Sequence, residues 1–278
     1  MSSTADQAGG LYFEEKGRGA PILLIPAAGA TASTWGAPLL DELTRAGRVI
    51  TYDRRGYGQS VGGTVDSLAT HTGDAAALLD RLGVREVVVA GISMGGAIAI
   101  DLARQRPDLV SAVVAHEPAW PTGQPPPPSA VAALSKTAWY FFRRRDSQAV
   151  EAFLQWAYSY RDGGSAWDRF PAAWRQTAID NAQAVRADFG LRLGRYPGAR
   201  ELASISLPVV LCCGGRSAPM LETMTRRVAR MVPAAVVRHI DRAGHAVAFD
   251  APAEFAKVIL DASSACSGTE SADPVDQL

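Results

Sequence analysis

The chain has 278 residues, 47% of them hydrophobic, with 28 basic and 28 acidic side chains and therefore a formal net charge of zero. That length buries about three quarters of the unfolded surface, enough for one large core with an inserted subdomain. The balanced charge and the lack of a basic stripe exclude nucleic acid and acidic polymers as expected partners.

Residues 1–10 are small and polar, without the apolar stretch of a secretion signal, and are expected to be disordered. No apolar run is long enough to span a bilayer, so the expectation is a soluble cytoplasmic protein with no membrane partner. Strand patterns fall at 11–15, 22–25 and 49–52, with helical spacing at 39–46 and 71–82. The strand pattern at 87–90 leads into a helical run at 97–106, and another strand pattern follows at 110–115. After a long interruption come strand patterns at 209–213 and 236–240 and a helical pattern at 252–260. Alternation of this kind predicts the α/β class, a doubly wound and mostly parallel sheet covered on both faces.

The interruption begins with Pro121 and the run Pro125 to Pro128, which can continue neither helix nor strand. Beyond it, Val150, Phe153, Leu154, Ala157 and Tyr158 make one apolar helical face, and Pro171 opens a helix bearing Trp174, Ala178, Ala182 and Val185. Residues 120–196 are therefore read as a helical lid inserted between the two parts of the core, 11–119 and 197–262, with 263–278 a disordered polar tail. Arg143, Arg144 and Arg145 read as the solvated end of a helix, where cations complement the dipole. Every tryptophan except Trp35 lies in the lid interval. Core packing accounts for most such rings, yet so dense a supply suggests a large apolar or aromatic ligand, with Trp120, Trp139, Trp156 and Trp174 as candidate substrate-binding side chains.

The most specific motif is Gly91-Ile92-Ser93-Met94-Gly95-Gly96, set between the strand pattern and the Ala-rich helical run. A serine there sits on a tight strand-to-helix turn, where small neighbours avoid clashes and the helix N-terminus aims N–H groups at the hydroxyl. Ser93 is thus a candidate nucleophile. It needs a base, and of the four histidines His245 stands in a loop after the last strand pattern, at the sheet edge where open α/β folds place their sites. The three cysteines, Cys212 and Cys213 side by side and Cys266 in the tail, give neither a disulfide framework nor metal spacing, and no cofactor is expected.

Taken with Gly19 to Gly29, Tyr52 to Ser60, Leu207 to Leu211 and Ala243-Gly244-His245, this order of motifs resembles the α/β-hydrolase superfamily over roughly residues 11–262. The resemblance implies oxyanion-hole donors after the strand at 22–25, where the family's His-Gly pair is replaced by Pro26-Ala27. By position the donors are the backbone N–H groups of Ala28 and Met94. It also implies an acid. The usual position, a few residues beyond a Gly after the strand at 209–213, holds Ser217, so the alternative position after the strand at 110–115 supplies Glu117, with Glu222 and Asp241 in reserve. His116 reads as a loop or core side chain. The segment His116-Glu117-Pro118 is similar to that of zearalenone-type lactonases.

The expected function is a cofactor-free serine hydrolase that cleaves a small-molecule ester, bulky or cyclic (a lactone), through an acyl-enzyme. A thioesterase or perhydrolase of the same fold, or a slow-turnover ligand-sensing receptor, are the alternatives. The reading allows a homodimer.

Overall fold

The computed structural model describes residues 4–267 apart from 64, 66, 122, 124 and 192–194. Eight strands form one sheet: β1 (Thr4–Ala8), β2 (Leu11–Gly17), β3 (Pro21–Ile25), β4 (Arg48–Tyr52), β5 (Val87–Ile92), β6 (Val110–His116), β7 (Val209–Gly214) and β8 (Ala235–Ile240). Their spatial order is β1-β2-β4-β3-β5-β6-β7-β8. The first two pairings, β1 with β2 and β2 with β4, are antiparallel and all later ones are parallel.

Helices α1 (Ala37–Ala46), α2 (Leu68–Leu82) and α3 (Met94–Gln105) precede an insertion after β6, and α9 (Ala199–Leu202), α10 (Pro219–Met231), α11 (Val247–Asp250) and α12 (Pro252–Ser267) follow it. The insertion carries α4 (Pro128–Phe142), α5 (Asp146–Ala157), α6 (Ala166–Arg169), α7 (Ala172–Asp180) and α8 (Ala182–Leu191). Local chemistry sets the boundaries. Ser67 caps α2 by accepting from the Thr70 N–H, and Gly83 ends that helix in the left-handed region at φ 63°.

Consecutive strand residues point to opposite faces, and the core obeys that rule. Leu23 and Ile25 pack with α2 and α3 on one face, whereas Ile22 and Leu24 pack with α1 and α12 on the other. Because both faces are covered, the central strands read as unbroken apolar runs rather than alternating ones. The insertion has its own apolar cluster, built on Phe141, Val150, Leu154, Trp167 and Val185 and joined to the core through Tyr57 and Ala246.

Two terminal expectations are corrected. Residues 4–8, expected to be disordered, form β1, in register with β2 from Thr4 opposite Glu15 to Ala8 opposite Leu11. The cause is the Gly9-Gly10 turn, whose φ values of 61° and 87° suit a two-residue hairpin, so the backbone ladder orders a segment with little apolar content. Of the tail expected from 263 onward, residues up to Ser267 continue α12, and 268–278 lie outside the described residues. Among the described residues no helix is long and apolar enough to cross a membrane.

Candidate active site

Ser93 occupies the junction of β5 and α3 with φ 55° and ψ −115°. A non-glycine residue at positive φ is strained, and such strain persists only where the surroundings enforce it. Here the enforcement is visible at the neighbouring glycines. A Cβ on Gly95 would lie 2.0 Å from the Ile25 carbonyl oxygen, and one on Gly91 would lie 2.3 Å from the Gly95 backbone. The Ser93 N–H donates to the His116 carbonyl at 2.9 Å, and its own carbonyl accepts from Ala97 and Ala119. Met94, first residue of α3, is 3% exposed and has no intrahelical acceptor for its N–H.

Ala28 lies in the turn after β3, closed by the Ala30 N–H on the Ala27 carbonyl at 3.3 Å. Gly29 has φ 77°, which suits the third position of a type II turn. A Cβ there would also run into Leu154 of α5 at 2.9 Å, so the insertion packs directly on this turn.

At the carboxyl end of β6, Glu117 turns back with φ 44°. Its Oε1 accepts from the Gly214 N–H at 2.8 Å, and its Oε2 accepts from His245 Nδ1 at 2.7 Å. Both side chains are buried. Burial opposes a charge on Glu117, but His116 and His245 beside it outweigh that and hold the carboxyl below its usual range. With Nδ1–H given to the carboxylate, His245 Nε2 is left as the acceptor.

His116 is a core side chain, 0% exposed, and its Nε2–H donates to the Gly244 carbonyl at 3.0 Å. Burial pushes its pKa down. The three groups His116, Glu117 and His245 are close enough to be considered as a metal cluster. The hydrogen bonds argue otherwise: the His116 Nε2 lone pair is protonated, and the facing His245 and Glu117 atoms are already spent on each other. Ser217 is fully buried. Glu222 is engaged by Arg226 at 2.8 Å on the outer face of α10, and Asp241 is exposed.

Beside His245 opens a cavity enclosing about 550 Å³ out to its mouth. The loop after β3, the end of β5, α5 to α7 and α11 wall it, with Trp35, Tyr158, Trp167, Phe170, Trp174 and Phe249 supplying the rings. Phe170 is the hub, meeting Tyr158, Trp174 and Phe249 edge-on at centroid distances of 5.0, 5.6 and 5.2 Å. Tyr158 in turn lies 5.6 Å from the His245 ring.

Of the four tryptophans expected to bind substrate, only Trp174 lines this cavity. Trp120 is a core residue, 3% exposed and edge-on to Tyr196 at 5.1 Å. Trp139 is 57% exposed beside Phe142 on the outer side of α4, and Trp156 packs on Phe153. These three are corrected: helical spacing marks a ring as belonging to an apolar face but does not say whether that face meets the core, solvent or a cavity. The cavity rings missed were Trp35, Tyr158, Trp167, Phe170 and Phe249. A signal existed for Phe249, four residues after His245 and therefore tied to its loop.

Comparison with known proteins agrees with this architecture. A family model described as the alpha/beta hydrolase family matches residues 22–258. A Mycobacterium tuberculosis protein named as a non-heme bromoperoxidase, BpoC, is 34% identical over 105 residues, which cover 37% of this chain and 40% of that protein. The sn-1-specific diacylglycerol lipase ABHD11 of Mus musculus is 29% identical over 221 residues, covering 75% of this chain and 69% of that one. The crystal structure of the enol-lactonase from Burkholderia xenovorans LB400 superposes with a TM-score of 0.74 at 21% identity, over 94% of this chain and 100% of the other. Such a likeness concerns the fold. The match across most of the sequence, on a sheet of this order, makes the chain a member of the alpha/beta hydrolase family.

Proposed function

We propose that the protein is a serine hydrolase acting on an uncharged ester with a bulky aromatic or cyclic part, a lactone included. The observation that carries this reading is the buried 2.7 Å contact between His245 Nδ1 and Glu117 Oε2 at the sheet edge where β5 delivers Ser93. In the proposed reaction Ser93 Oγ attacks the ester carbonyl while His245 Nε2 takes its proton, and Glu117 steadies the imidazolium that results. The N–H groups of Ala28 and Met94 receive the oxyanion. Collapse of the tetrahedral intermediate breaks the bond to the alcohol oxygen, which leaves with the proton from His245. A water then repeats the sequence on the acyl-enzyme and frees the acid.

The substrate class follows from the cavity walls. Among the described residues, apart from His245 they carry no ionisable group but the Tyr158 phenol, which burial pushes up to about 12 and keeps neutral. A charged substrate would be desolvated there without a counter-ion, at a cost of several kcal/mol. Aromatic rings meet it edge-on or offset, which favours another ring as guest.

The insertion supplies four of the six aromatic rings of that wall, Tyr158, Trp167, Phe170 and Trp174, so substitutions in it should separate by position. Trp174→Ala is expected to lower kcat/KM for a naphthyl or other bulky aryl ester while sparing a small acetate ester. Trp139→Ala, at an exposed site away from the cavity, should leave both rates near those of the parent. Trp120→Ala should instead lower stability by about 3–5 kcal/mol, as for a buried ring removed from a core. Kinetics on the paired esters and thermal melts check all three. Equal losses on both esters in Trp174→Ala would remove the argument for a bulky substrate.

A further inference from the structure

A second buried ionic cluster lies apart from His245. Arg54, in the loop after β4, is 0% exposed and grips Asp188 of α8 with both arms, Nη1 to Oδ1 at 3.1 Å and Nη2 to Oδ2 at 2.6 Å. Tyr57 donates to the same carboxylate at 2.7 Å and lies beneath the guanidinium, 4.4 Å from ring centroid to Cζ. His71 faces Arg54 Nη1 at 3.2 Å, and burial holds that imidazole neutral. Burial works against the charge on Asp188, yet the Arg54 guanidinium beside it overcomes that, so the carboxyl stays ionised and the fork stays locked.

What the cluster holds is the turn after β3. Arg54 Nη2 also donates to the Ala27 carbonyl at 3.1 Å, and the Tyr57 hydroxyl accepts from the Gly29 N–H at 3.4 Å. The Ala27–Ala28 peptide is trans, and in a trans peptide the carbonyl and the following N–H point in opposite directions. A guanidinium that fixes the Ala27 carbonyl therefore fixes the Ala28 N–H on the other side. We propose that Arg54 and Asp188 are positioning residues which set the Ala27–Ala28 peptide plane so that the Ala28 N–H faces the oxyanion, with the helical insertion, through Asp188, completing the hole. This rests on the serine-hydrolase reading above. It gives the insertion a second task besides walling the cavity: when α8 is docked the oxyanion donor is set, and when it is not the donor is free to turn.

Two variants of the full-length chain test the assignment without leaving a lone buried charge, which by itself is strongly destabilising. Arg54→Lys keeps the ion pair but loses the fork that spans Asp188 and Ala27, and Arg54→Met/Asp188→Leu removes both charges at similar volume. Each is expected to lower kcat on an aryl ester by about 10–100-fold, the scale of a misplaced or missing oxyanion donor, with KM little changed. Affinity for an aryl trifluoromethyl ketone, whose adduct with Ser93 is itself an oxyanion, should fall in the same ratio, while binding of the product alcohol stays at the parent level. Unchanged kcat in both variants overturns the proposal. So does an equal loss of ketone and alcohol binding, the mark of a collapsed cavity. Ser93→Ala in the same assay keeps the two questions apart: full activity there sinks the serine reading, whereas activity lost there but kept in the Arg54 variants sinks only the positioning role.

Discussion

Ser93→Ala is expected to abolish hydrolysis of activated aryl esters and labelling by a fluorophosphonate, with the fold intact. Loss of the nucleophile in the best-studied triad costs about 10⁶ in turnover, and no neighbouring hydroxyl can take its place, because the position is made by backbone constraint. Ser93 stands at φ 55° between two glycines whose Cβ positions are already filled by backbone atoms. An alanine keeps the same Cβ and so meets no new contact, which separates loss of chemistry from loss of structure. The checks are steady-state rates, gel fluorescence after labelling and a thermal melt. A labelled Ser93→Ala protein would place the nucleophile elsewhere and end the proposed mechanism.

The elbow could be read from the sequence because every constraint on it is local. Val87 to Ala90 form a strand buried on both faces, the glycines admit the turn, and the helix begins at Met94. The same holds for the central strands, whose apolar runs need no knowledge of their partners. Features that depend on distant parts of the chain were not legible. The first strand, Thr4–Ala8, is held by its backbone ladder to β2, so its side chains carry no strand signal and only Gly9-Gly10 hints at the hairpin. Trp120 and Trp174 look alike as aromatic residues in helical or Pro-rich surroundings, yet one is core and the other faces the cavity. Arg54 sits in a readable Asp-Arg-Arg-Gly run, but its counter-ion is 134 residues further on, in an insertion whose helix packing no local pattern describes.

The acid role proposed for Glu117 comes by a different route, the lack of a carboxylate at Ser217, and the arrangement of the strand ends supports it. The strands β6 and β7 are adjacent and parallel, with His116 opposite Cys212, so a side chain leaving the end of either can reach the same imidazole. Glu117 does so from β6, anchored by the Gly214 N–H that the end of β7 offers, while Ser217 stays buried nearby without charge. Glu117→Gln is therefore expected to lower turnover by about 10²–10⁴-fold, the range for a triad orienter. The amide can still accept from Gly214 through its oxygen, but it then presents its NH₂ to His245 Nδ1 and selects the wrong tautomer, leaving Nε2 protonated and unable to take the Ser93 proton. Fluorophosphonate labelling should slow by a similar factor. The protein should keep its fold, since the substitution is isosteric and removes a buried charge rather than stranding one. Ser217→Ala should change turnover little, because its hydroxyl neither donates to His245 nor carries charge. Ser217→Asp on the Glu117→Gln background is the sharper test: the adjacent strand ends predict partial recovery of activity, as the new carboxylate can approach His245 from β7. Near-normal turnover in Glu117→Gln, with a severe loss in Glu222→Gln or Asp241→Asn, would move the acid and leave the buried 2.7 Å contact a structural one.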